Sequence, residues 1–478
     1  MYHAEQFYID GTWVEPIGTS VRLVMDPATE IEVGKIALGV QADVDRAADA
    51  AKRAFEHYSR YSVAERRTVI ERIIAVYERR YDEVASIVSR EMGAPISLAK
   101  QEHAADGLVH LRQMLSTLDS FQFEESRPDG VVVHEPIGVC GLITPWNWPI
   151  NQISCKVVPA LGAGCTMILK PSELAPFSAH LFAEIFDEAG VPPGVFNLVD
   201  GDGPGVGRAL ARHPDIAMIS ITGSNRAGVA VAEAAAPTVK RVSQELGGKS
   251  ACILLPGVDM RRAARDVASR VFRNSGQSCA ALTRLLVPVA ERDSAVAGAV
   301  EAALAVRVGE PSDPETTMGP IANRAQFERV KRYIQSGVSE GATLMTGGLE
   351  SPNGLSKGFY IRPTVFADVE CEMTIAQEEI FGPVICIMTY RDEDHAVEIA
   401  NGTKYGLSGA VRSPDLESGE RVARRLRTGM VHINNTAPAD DAPFGGYKQS
   451  GNGREWGAYG LQEFLEIKML FGAKARYS

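Results

Sequence analysis

The sequence lacks the features that mark membrane, secreted or nucleic-acid-binding proteins. No uninterrupted apolar stretch approaches the roughly 18 residues that a membrane-spanning helix needs. The N-terminal segment MYHAEQFYIDGTW has no apolar core of the kind found in signal peptides. Long basic runs are absent too, and the formal net charge is −11. We therefore expect neither nucleic acid nor a membrane among the main partners.

Paired cysteines are also missing. The seven cysteines are scattered along the chain without a C-x-x-C pair. That spacing indicates neither a disulfide framework nor a zinc site, so we expect reduced thiols, no bound metal and a cytoplasmic location.

What is present is an alternation of short apolar segments and helical stretches. Between Val139 and Val242 the segments VCGLIT, TMILKP, VFNLV and IAMISITG are separated by helical stretches, and a second alternation follows Ser250. This pattern is typical of parallel sheets with helices on both faces. Because 478 residues exceed one ordinary core, we predict an α/β fold with two such domains.

The outer parts of the chain show other local signals. FYIDGTWV predicts a hairpin around Asp10-Gly11, and helical periodicity runs from 42 to 92 and again from about 96 to 120. VVVHEP predicts a strand, and the tail 465–471 predicts a strand that pairs outside its own domain.

Two short runs carry residues suited to covalent catalysis. Cys279 is surrounded by small residues, which leave a thiol reachable. Glu245 stands directly before Leu246 and a Gly-Gly turn, so it ends an element and faces a loop. A thiol nucleophile and a carboxylate that activates water would suffice for acyl chemistry. Taken singly, the cysteine fits a buried structural residue and the glutamate fits a surface helix end.

A rigid loop, TPWNWP at 144–149, holds one amide, Asn147, between two tryptophans and two prolines. A structural Asx turn and a donor to an oxyanion are both compatible with that position.

Together these runs resemble the aldehyde dehydrogenase superfamily. QELGGKS, GQSC, TPWNWP, TGSNRAG, EEIFGPV and GGYKQSGNGREWGAYGL stand in the family's order, across nearly the whole chain. The resemblance implies oxidation of a small-molecule aldehyde to an acid, with Cys279 as nucleophile, Asn147 as oxyanion donor and Glu245 as base for water. Lys156 and Glu455 match family positions assigned to proton exit, although a surface lysine and a surface glutamate are the default interpretations.

The resemblance also implies a dinucleotide, although the GxGxxG fingerprint is absent. Instead, a strand runs into a helix through TGSNRAG, whose first N–H groups suit a pyrophosphate, with an N-cap by Ser224 as a compatible alternative. Glu173 could accept hydrogen bonds from a ribose and repel a 2′-phosphate, which favours NAD while leaving NADP possible. A surface ion pair with Lys170 and a core role for Phe381 are the alternatives. The expected cofactor residues are Ile143, Thr144, Pro145, Trp146, Lys170, Ser172, Glu173, Gly203, Gly207, Thr222, Gly223, Ser224, Gly228, Leu246, Gly247, Glu379 and Phe381.

Two alternatives for the function follow from the same residues. A non-catalytic NAD-binding protein on this fold would be expected to lack the thiol or the base, and acylating relatives commonly lack the glutamate, so hydrolysis is favoured.

We expect a Rossmann-like cofactor domain from 1–120 and 137–247 and a catalytic domain from 248–445. A small β element from 121–136 and 446–478 is expected to form a homodimer or homotetramer.

The substrate is not fixed by the motifs. The pocket mouth is expected near 101–118, 148–154, Ser278, Ala280 and 436–443. No arginine pair stands in the motifs to hold a second carboxylate, which disfavours semialdehyde acids.

Overall fold

The computed structural model describes residues 4–475 as two α/β layers joined by a small β element. Its strands, in chain order, are β1 (Phe7–Ile9), β2 (Thr12–Val14), β3 (Ser20–Met25), β4 (Glu32–Leu38), β5 (Glu124–Arg127), β6 (Gly130–Pro136), β7 (Val139–Ile143), β8 (Thr166–Lys170), β9 (Phe196–Leu198), β10 (Met218–Thr222), β11 (Arg241–Glu245), β12 (Ala251–Leu254), β13 (Arg284–Pro288), β14 (Thr343–Thr346), β15 (Thr364–Ala367), β16 (Val384–Tyr390), β17 (Tyr405–Gly406), β18 (Ser408–Arg412), β19 (Met430–Ile433), β20 (Tyr447–Lys448) and β21 (Leu465–Phe471).

The helices cover both faces of the larger sheets. They are α1 (Gln41–Tyr58), α2 (Val63–Arg79), α3 (Tyr81–Met92), α4 (Ile96–Leu98), α5 (Ala104–Ser120), α6 (Pro149–Ala163), α7 (Phe177–Glu188), α8 (Arg208–Arg212), α9 (Asn225–Ala235), α10 (Met260–Phe272), α11 (Arg292–Ala305), α12 (Arg324–Ser339), α13 (Thr374–Gln377), α14 (Glu393–Asn401), α15 (Leu416–Ala423) and α16 (Gly457–Glu463). Within residues 4–475, no helix is both long and apolar enough to cross a membrane.

The first sheet has the order β11-β10-β7-β8-β9-β1-β2. The five strands from β11 to β9 run parallel, and β7, β8 and β10 are buried along their whole length. Chain order reverses at β7, with β8 on one side and β10 on the other, so the sheet has a switch point where a crevice opens at the carboxyl ends of the strands. The predicted α/β class is confirmed.

The second sheet has the order β14-β15-β16-β13-β12-β18-β19 and is parallel except for β14. The third sheet is small and antiparallel, with β21 paired to β6 and β6 paired to β5. The tail strand therefore returns to the segment before β7, which lies some 330 residues earlier in the chain.

Local predictions for the first 120 residues hold with two refinements. The β1–β2 hairpin turns through Asp10 and Gly11, both with positive φ. The helical region 42–92 is three helices, the last of which ends at Gly93 with φ of 80°. Between α4 and α5 the chain makes a π-helical turn, Ala99–His103, which sequence periodicity does not reveal.

Arg284 fastens the second sheet to the loop after Glu245. It is 2% exposed at the start of β13, and its guanidinium donates to the carbonyls of Lys249, Ile399 and Ala400 at 2.7–2.9 Å. Two of these carbonyls belong to the last turn of α14, where a cation is favoured. The loop 246–249 is thereby held in place.

Replacing Arg284 with Met should lower the melting temperature by several degrees, as followed by circular dichroism. The substitution leaves three buried carbonyls without their donor, at a cost of about 1–3 kcal/mol each. The exposed Arg391→Met variant is the matched control and should leave the melting temperature unchanged. Equal melting temperatures for the two variants would contradict this account of Arg284.

Candidate active site

Cys279 lies in the loop between α10 and β13, just after a sharp bend. Asn274, Ser275 and Gly276 all have left-handed backbone, with φ of 49°, 55° and 71°. At Gly276 a Cβ would lie 2.0 Å from the carbonyl oxygen of Gly382, so only glycine fits. The bend leaves Cys279 partly exposed on the wall of a cavity. Sequence reasoning allowed for a fully buried structural cysteine here, and the exposure shows that this alternative is wrong.

Asn147 is held against this loop by reciprocal hydrogen bonds. Its side-chain Nδ2 donates to the carbonyl of Gln277 at 3.1 Å, and its own carbonyl accepts from Asn274 Nδ2 at 2.8 Å. The residue is 2% exposed. The amide therefore has a fixed position beside the residues that lead into Cys279, where it can serve a negative oxygen that develops near the sulfur.

An aromatic stack supports the tryptophan loop. His103, in the π-helical turn, stacks on Trp148 with ring centroids 4.1 Å apart and planes inclined by 18°. Burial lowers the pKa of His103 to about 3, although a side-chain hydrogen bond with Asn274 acts in the opposite direction. The ring is therefore neutral and stacks on the indole as an uncharged aromatic group. Sequence reasoning missed His103, because its role depends on a π-helical turn that no motif marks.

Glu245 ends β11 as a buried carboxyl group. It is 2% exposed, and within residues 4–475 neither carboxyl oxygen has a hydrogen-bond partner. Burial raises the pKa of Glu245 well above its ordinary value, Glu455 raises it further, and Lys156 and Arg454 lower it. A carboxyl group in such surroundings is suited to proton transfer. The surface position that its sequence context also allowed is wrong.

Behind Glu245 lies a buried ion pair. Lys156 Nζ donates to Glu455 at 2.5 Å and to Ser220 Oγ at 3.1 Å. Glu455 also accepts from the thiol of Cys155 at 3.2 Å. Lys156 is 1% exposed and Glu455 is 5% exposed, so the default of surface positions for both is wrong. The pair forms a charged group next to the carboxyl of Glu245.

Two glycines after Glu245 make close contacts: Gly248 contacts the Cys279 backbone, and Gly247 contacts the Glu379 side chain. A Cβ on Gly248 would lie 2.5 Å from the carbonyl oxygen of Cys279, and one on Gly247 would lie within 3 Å of the Glu379 carboxyl group. The Gly248 N–H donates to Glu379 at 2.8 Å. Burial, followed by Glu379, Glu245 and Glu455, raises the pKa of the Cys279 thiol. One thiol is therefore surrounded by three carboxyl groups.

The carboxyl ends of four parallel strands bring the expected cofactor residues to one edge of the first sheet. Lys170 pairs with Ile143, Ile143 with Ile221, and Thr222 with Glu245. The edge lies at the switch point between β7 and β10, where dinucleotides bind in this class of sheet. Thr144, which follows Ile143, is buried, and its N–H donates to the Lys170 carbonyl at 3.1 Å.

Lys170 and Glu173 form a partly buried pair and not the surface ion pair that the sequence also allowed. Lys170 is 3% exposed, and its Nζ donates to the Pro171 carbonyl at 2.8 Å and to Glu173 at 3.4 Å. Burial lowers the pKa of Lys170, while Glu173 raises it. Ser172 Oγ accepts from the Leu174 N–H at 3.2 Å and shapes the turn.

The N-terminus of α9 fits a phosphate group. Ser224 caps the helix by accepting from the Ala227 N–H at 3.3 Å, as expected, and Gly223 precedes it. Thr222 Oγ1 is buried without a partner among the described residues. Gly228 packs on Leu246, whose methyl groups would lie 2.8 Å from a Cβ. The N-terminus of α9 is therefore suited to bind the pyrophosphate of a dinucleotide.

Two further parts of the expected cofactor site lie along this edge. Gly203 and Gly207 bound a π-helical turn; nothing lies within 4 Å of a Cβ on Gly203, and Gly207 faces Ile143 and Lys170. Trp146, which follows Pro145, contacts Phe381 edge-on, with ring centroids 5.5 Å apart. Phe381 is partly exposed, which argues against the alternative of a core phenylalanine.

A cavity of about 220 Å³ contains Cys279 in its wall. Most of its lining comes from the segments that the sequence placed at the pocket mouth, whereas Phe444 and Trp456 lie outside them. The lining consists of Glu102, Asp106, Val109, His110, Trp148, Asn151, Gln152, Ser278, Cys279, Ala280, Asp440, Phe444 and Trp456. Burial, helped by Asp440, raises the pKa of Asp106 to about 7. We call this space the inner cavity.

A larger cavity of about 440 Å³ adjoins it, and we call this the outer cavity. The two share a wall made of Glu102, Trp148, Ser278, Ala280, Phe444 and Trp456. Three arginines, Arg270, Arg273 and Arg412, line the outer cavity. Sequence reasoning found no arginine pair, because these residues lie on α10, after it and on β18, outside every motif.

Within residues 4–475, no group of three or more histidine, cysteine, aspartate or glutamate side chains is arranged to hold a metal ion.

Comparisons with known proteins agree with this geometry. The model of the Aldehyde dehydrogenase family matches residues 13–470. A 3-succinoylsemialdehyde-pyridine dehydrogenase from a Pseudomonas species is 54% identical over 98% of this chain and 98% of its own length. A putative aldehyde dehydrogenase from Staphylococcus aureus is 49% identical over 97% of this chain and 98% of its own.

Solved structures are equally close. A mutant of aldehyde dehydrogenase C from Pseudomonas syringae, crystallised with NAD+ and octanal, has a TM-score of 0.98 at 51% identity and covers 98% of this chain and 97% of its own. The Mycobacterium tuberculosis aldehyde dehydrogenase complexed with NAD+ has a TM-score of 0.95 at 39% identity, with 99% of each chain covered.

A family model that spans nearly the whole chain, and a fold that superposes on solved members, leave one assignment. The chain belongs to the aldehyde dehydrogenase family, and its reaction is the NAD(P)-dependent oxidation of an aldehyde.

Proposed function

We propose that Cys279 is the nucleophile, Asn147 the oxyanion donor and Glu245 the base, and that the product is a free carboxylic acid. The observation that carries this assignment is the contact at Gly248, which sets the loop of Cys279 directly against the strand end of Glu245. Two residues that are far apart in sequence thereby face one reaction space.

In the first half of the reaction, the Cys279 sulfur adds to the aldehyde carbonyl and forms a thiohemiacetal. The new oxyanion accepts hydrogen bonds from Asn147 Nδ2 and the Cys279 N–H, and one such donor is worth about 3–4 kcal/mol. Because burial and nearby carboxyl groups raise the pKa of the thiol, the sulfur must lose its proton as it attacks, and solvent that enters the cavity takes this proton while Glu245 acts in the second half. When bound, NAD accepts the hydride that the thiohemiacetal loses.

In the second half, the thioester on Cys279 is hydrolysed. Glu245 takes a proton from water, and that water attacks the thioester carbonyl and releases the acid. Lys156 and Glu455 then carry the proton away through their buried pair. Because Glu245 is present, hydrolysis is favoured over transfer of the acyl group to coenzyme A.

Lys170 and Glu173 support NAD over NADP. Glu173 stands beside the strand end where a ribose would sit, and its carboxylate would face a 2′-phosphate as a like charge. Lys170, which pairs with it, offsets part of that repulsion.

The three sheets support the proposed domain organisation. The first sheet draws its strands from 7–245 and the second from 251–433, in keeping with a cofactor domain of 1–120 and 137–247 and a catalytic domain of 248–445. The segments 121–136 and 446–478 would bridge copies as a homodimer or homotetramer. The exposure of Ile467 and Phe471, at 71% and 78%, supports this assignment.

Two substitutions should separate the two halves of the reaction. Cys279→Ala should abolish NADH formation, because no covalent adduct forms. Glu245→Gln should give a burst of about one NADH per active site, followed by a steady rate about 100- to 10,000-fold below wild type. Stopped-flow absorbance of NADH measures both.

Isothermal titration of NAD into each variant provides the control, and binding should persist because neither side chain holds the dinucleotide. Undiminished turnover by Cys279→Ala would refute the nucleophile. A Glu245→Gln enzyme with wild-type steady turnover would refute the base.

The pH profile should respond in opposite directions to the two members of the buried ion pair. A base must be deprotonated, so turnover falls as pH drops through the raised pKa of Glu245. Glu455 raises that pKa, so Glu455→Gln should move the acid limb to lower pH. Lys156 lowers it, so Lys156→Met should move the limb to higher pH.

The measurement is the pH at which kcat falls to half its maximum on the acid side. This pH does not depend on the fraction of enzyme that is folded. The exposed Lys52→Met variant should keep the wild-type limb. Shifts of both variants in the same direction would rule out this arrangement around Glu245.

Cofactor preference should depend on Glu173. Glu173→Gln should raise the ratio of kcat/KM for NADP to that for NAD by about tenfold, because the like charge facing the 2′-phosphate is gone. Steady-state assays with both dinucleotides give the ratio. The exposed Glu188→Gln control should not change it, and an unchanged ratio in Glu173→Gln would remove Glu173 from the site.

A further inference from the structure

Arg412 is a buried cation without a carboxylate partner, and its guanidinium contacts the thiol of Cys252. It is 7% exposed, and its Nε has no hydrogen-bond acceptor among the described residues. In the described part of the chain, residues 4–475, no carboxylate lies within ion-pair distance of Arg412, although Arg273 nearby is paired with Glu102. An unpaired buried charge is costly, so a group that supplies the missing negative charge is expected.

Arg412 faces the outer cavity because of strand geometry. Ser408, Ala410 and Arg412 alternate along β18 and therefore share one face. The register of β19 places Met430 beside Ser408 and His432 beside Ala410, and all five line the outer cavity.

A second arginine adds to the charge on this wall. Arg270, in the last turn of α10, lines the same cavity and has no ion pair among the described residues. Burial lowers the pKa of Arg412, Cys252 raises it, and Arg270 lowers it again, which indicates that the two guanidinium groups are close. Asp266 raises the pKa of Arg412 by less than Arg270 lowers it.

The charges of the two cavities are opposite. Glu102, Asp106 and Asp440 line the inner cavity beside Cys279, whereas Arg270 and Arg412 line the outer cavity. Glu102, the carboxylate present in the outer lining, is paired with Arg273. A chain of net charge −11 thus has, among its described residues, two arginines without a carboxylate partner in the outer cavity, which adjoins the cavity of the Cys279 thiol.

We propose that the outer cavity binds a carboxylate at the distal end of the substrate through Arg412 and Arg270, so that the preferred substrates are aldehydes with a terminal carboxylate. The proposal rests on the proposed function of Cys279. This proposal reverses the expectation from the sequence that semialdehyde acids are disfavoured. That expectation is based on the absence of an arginine pair in the motifs, whereas Arg412 on β18 and Arg270 at the end of α10 both line the outer cavity. A guanidinium can bind a carboxylate through two parallel hydrogen bonds.

The test compares suberate semialdehyde with its methyl ester, which has the same chain without the charge. Wild-type enzyme should show a higher kcat/KM for the carboxylate. Arg412→Met should lower kcat/KM for the carboxylate by about 10- to 100-fold and leave that for the ester nearly unchanged. Arg265→Met, on an exposed part of α10 outside the cavity, is the matched control and should leave both values unchanged.

Stability gives an independent measurement. Because Arg412 is buried without a carboxylate partner and its bond to the Cys252 thiol is weak, Arg412→Met should keep or raise the melting temperature. A lower melting temperature with equal losses for carboxylate and ester would show a structural arginine and overturn the proposal. An unchanged ratio of carboxylate to ester in Arg412→Met would overturn it as well.

Direct binding separates this proposal from the proposed function. Suberate, which has no aldehyde, should bind wild-type enzyme in isothermal titration calorimetry about 10- to 100-fold more tightly than Arg412→Met. If Cys279→Ala remains active while this difference holds, the nucleophile assignment fails and the anion site stands. If aldehydes are oxidised as proposed but suberate binds both proteins equally, the anion site fails.

Discussion

The contact between Gly248 and the Cys279 carbonyl is the constraint on which the site depends. A side chain at this position would push the thiol loop away from the strand end that holds Glu245, because a Cβ has only 2.5 Å of space. Glu379 ties the same turn to the second sheet through the Gly248 N–H, and Arg284 holds the far side of the loop through Lys249. The close approach at one glycine therefore fixes the position of the Cys279 loop relative to the strand end of Glu245, the proposed nucleophile and base.

Around that contact the protein buries more acid than base. Glu245, Glu379 and Glu455 surround one thiol, and the pKa of the thiol is raised by burial and by all three. Lys156 is the one cation bonded to this group among the described residues, and it is held by Glu455 and Ser220. Such surroundings disfavour a free thiolate, so in the proposed reaction the sulfur loses its proton as it attacks and is not permanently ionised.

Sequence patterns predicted those parts of the structure that depend on nearby residues. The alternation of apolar segments gave the parallel strands of the first sheet, and Asp10-Gly11 gave the first hairpin, because both depend on short-range periodicity and turn chemistry. For Lys156 the sequence left a surface position open beside the proton-exit role that the resemblance implies, because α6 is buried on nearly every side and has no amphipathic pattern that would reveal this burial. His103 and Arg412 were missed for another reason. Each gains its role from a neighbour across the fold, Trp148 in one case and the outer cavity in the other, and such neighbours are set by packing and register.

The C-terminal segment connects the backbone around Glu245 with the exposed strand β21. Gly451 bridges to Glu245, the Leu246 N–H donates to the Ser450 carbonyl, and Glu455 follows four residues after Gly451 on the same stretch. That stretch continues through α16 into β21, whose outer side chains are open to solvent. Removal or displacement of the tail would therefore act on Glu245 and Glu455, the residues proposed for proton transfer, through a continuous backbone and without any movement of the carboxyl edge of the first sheet.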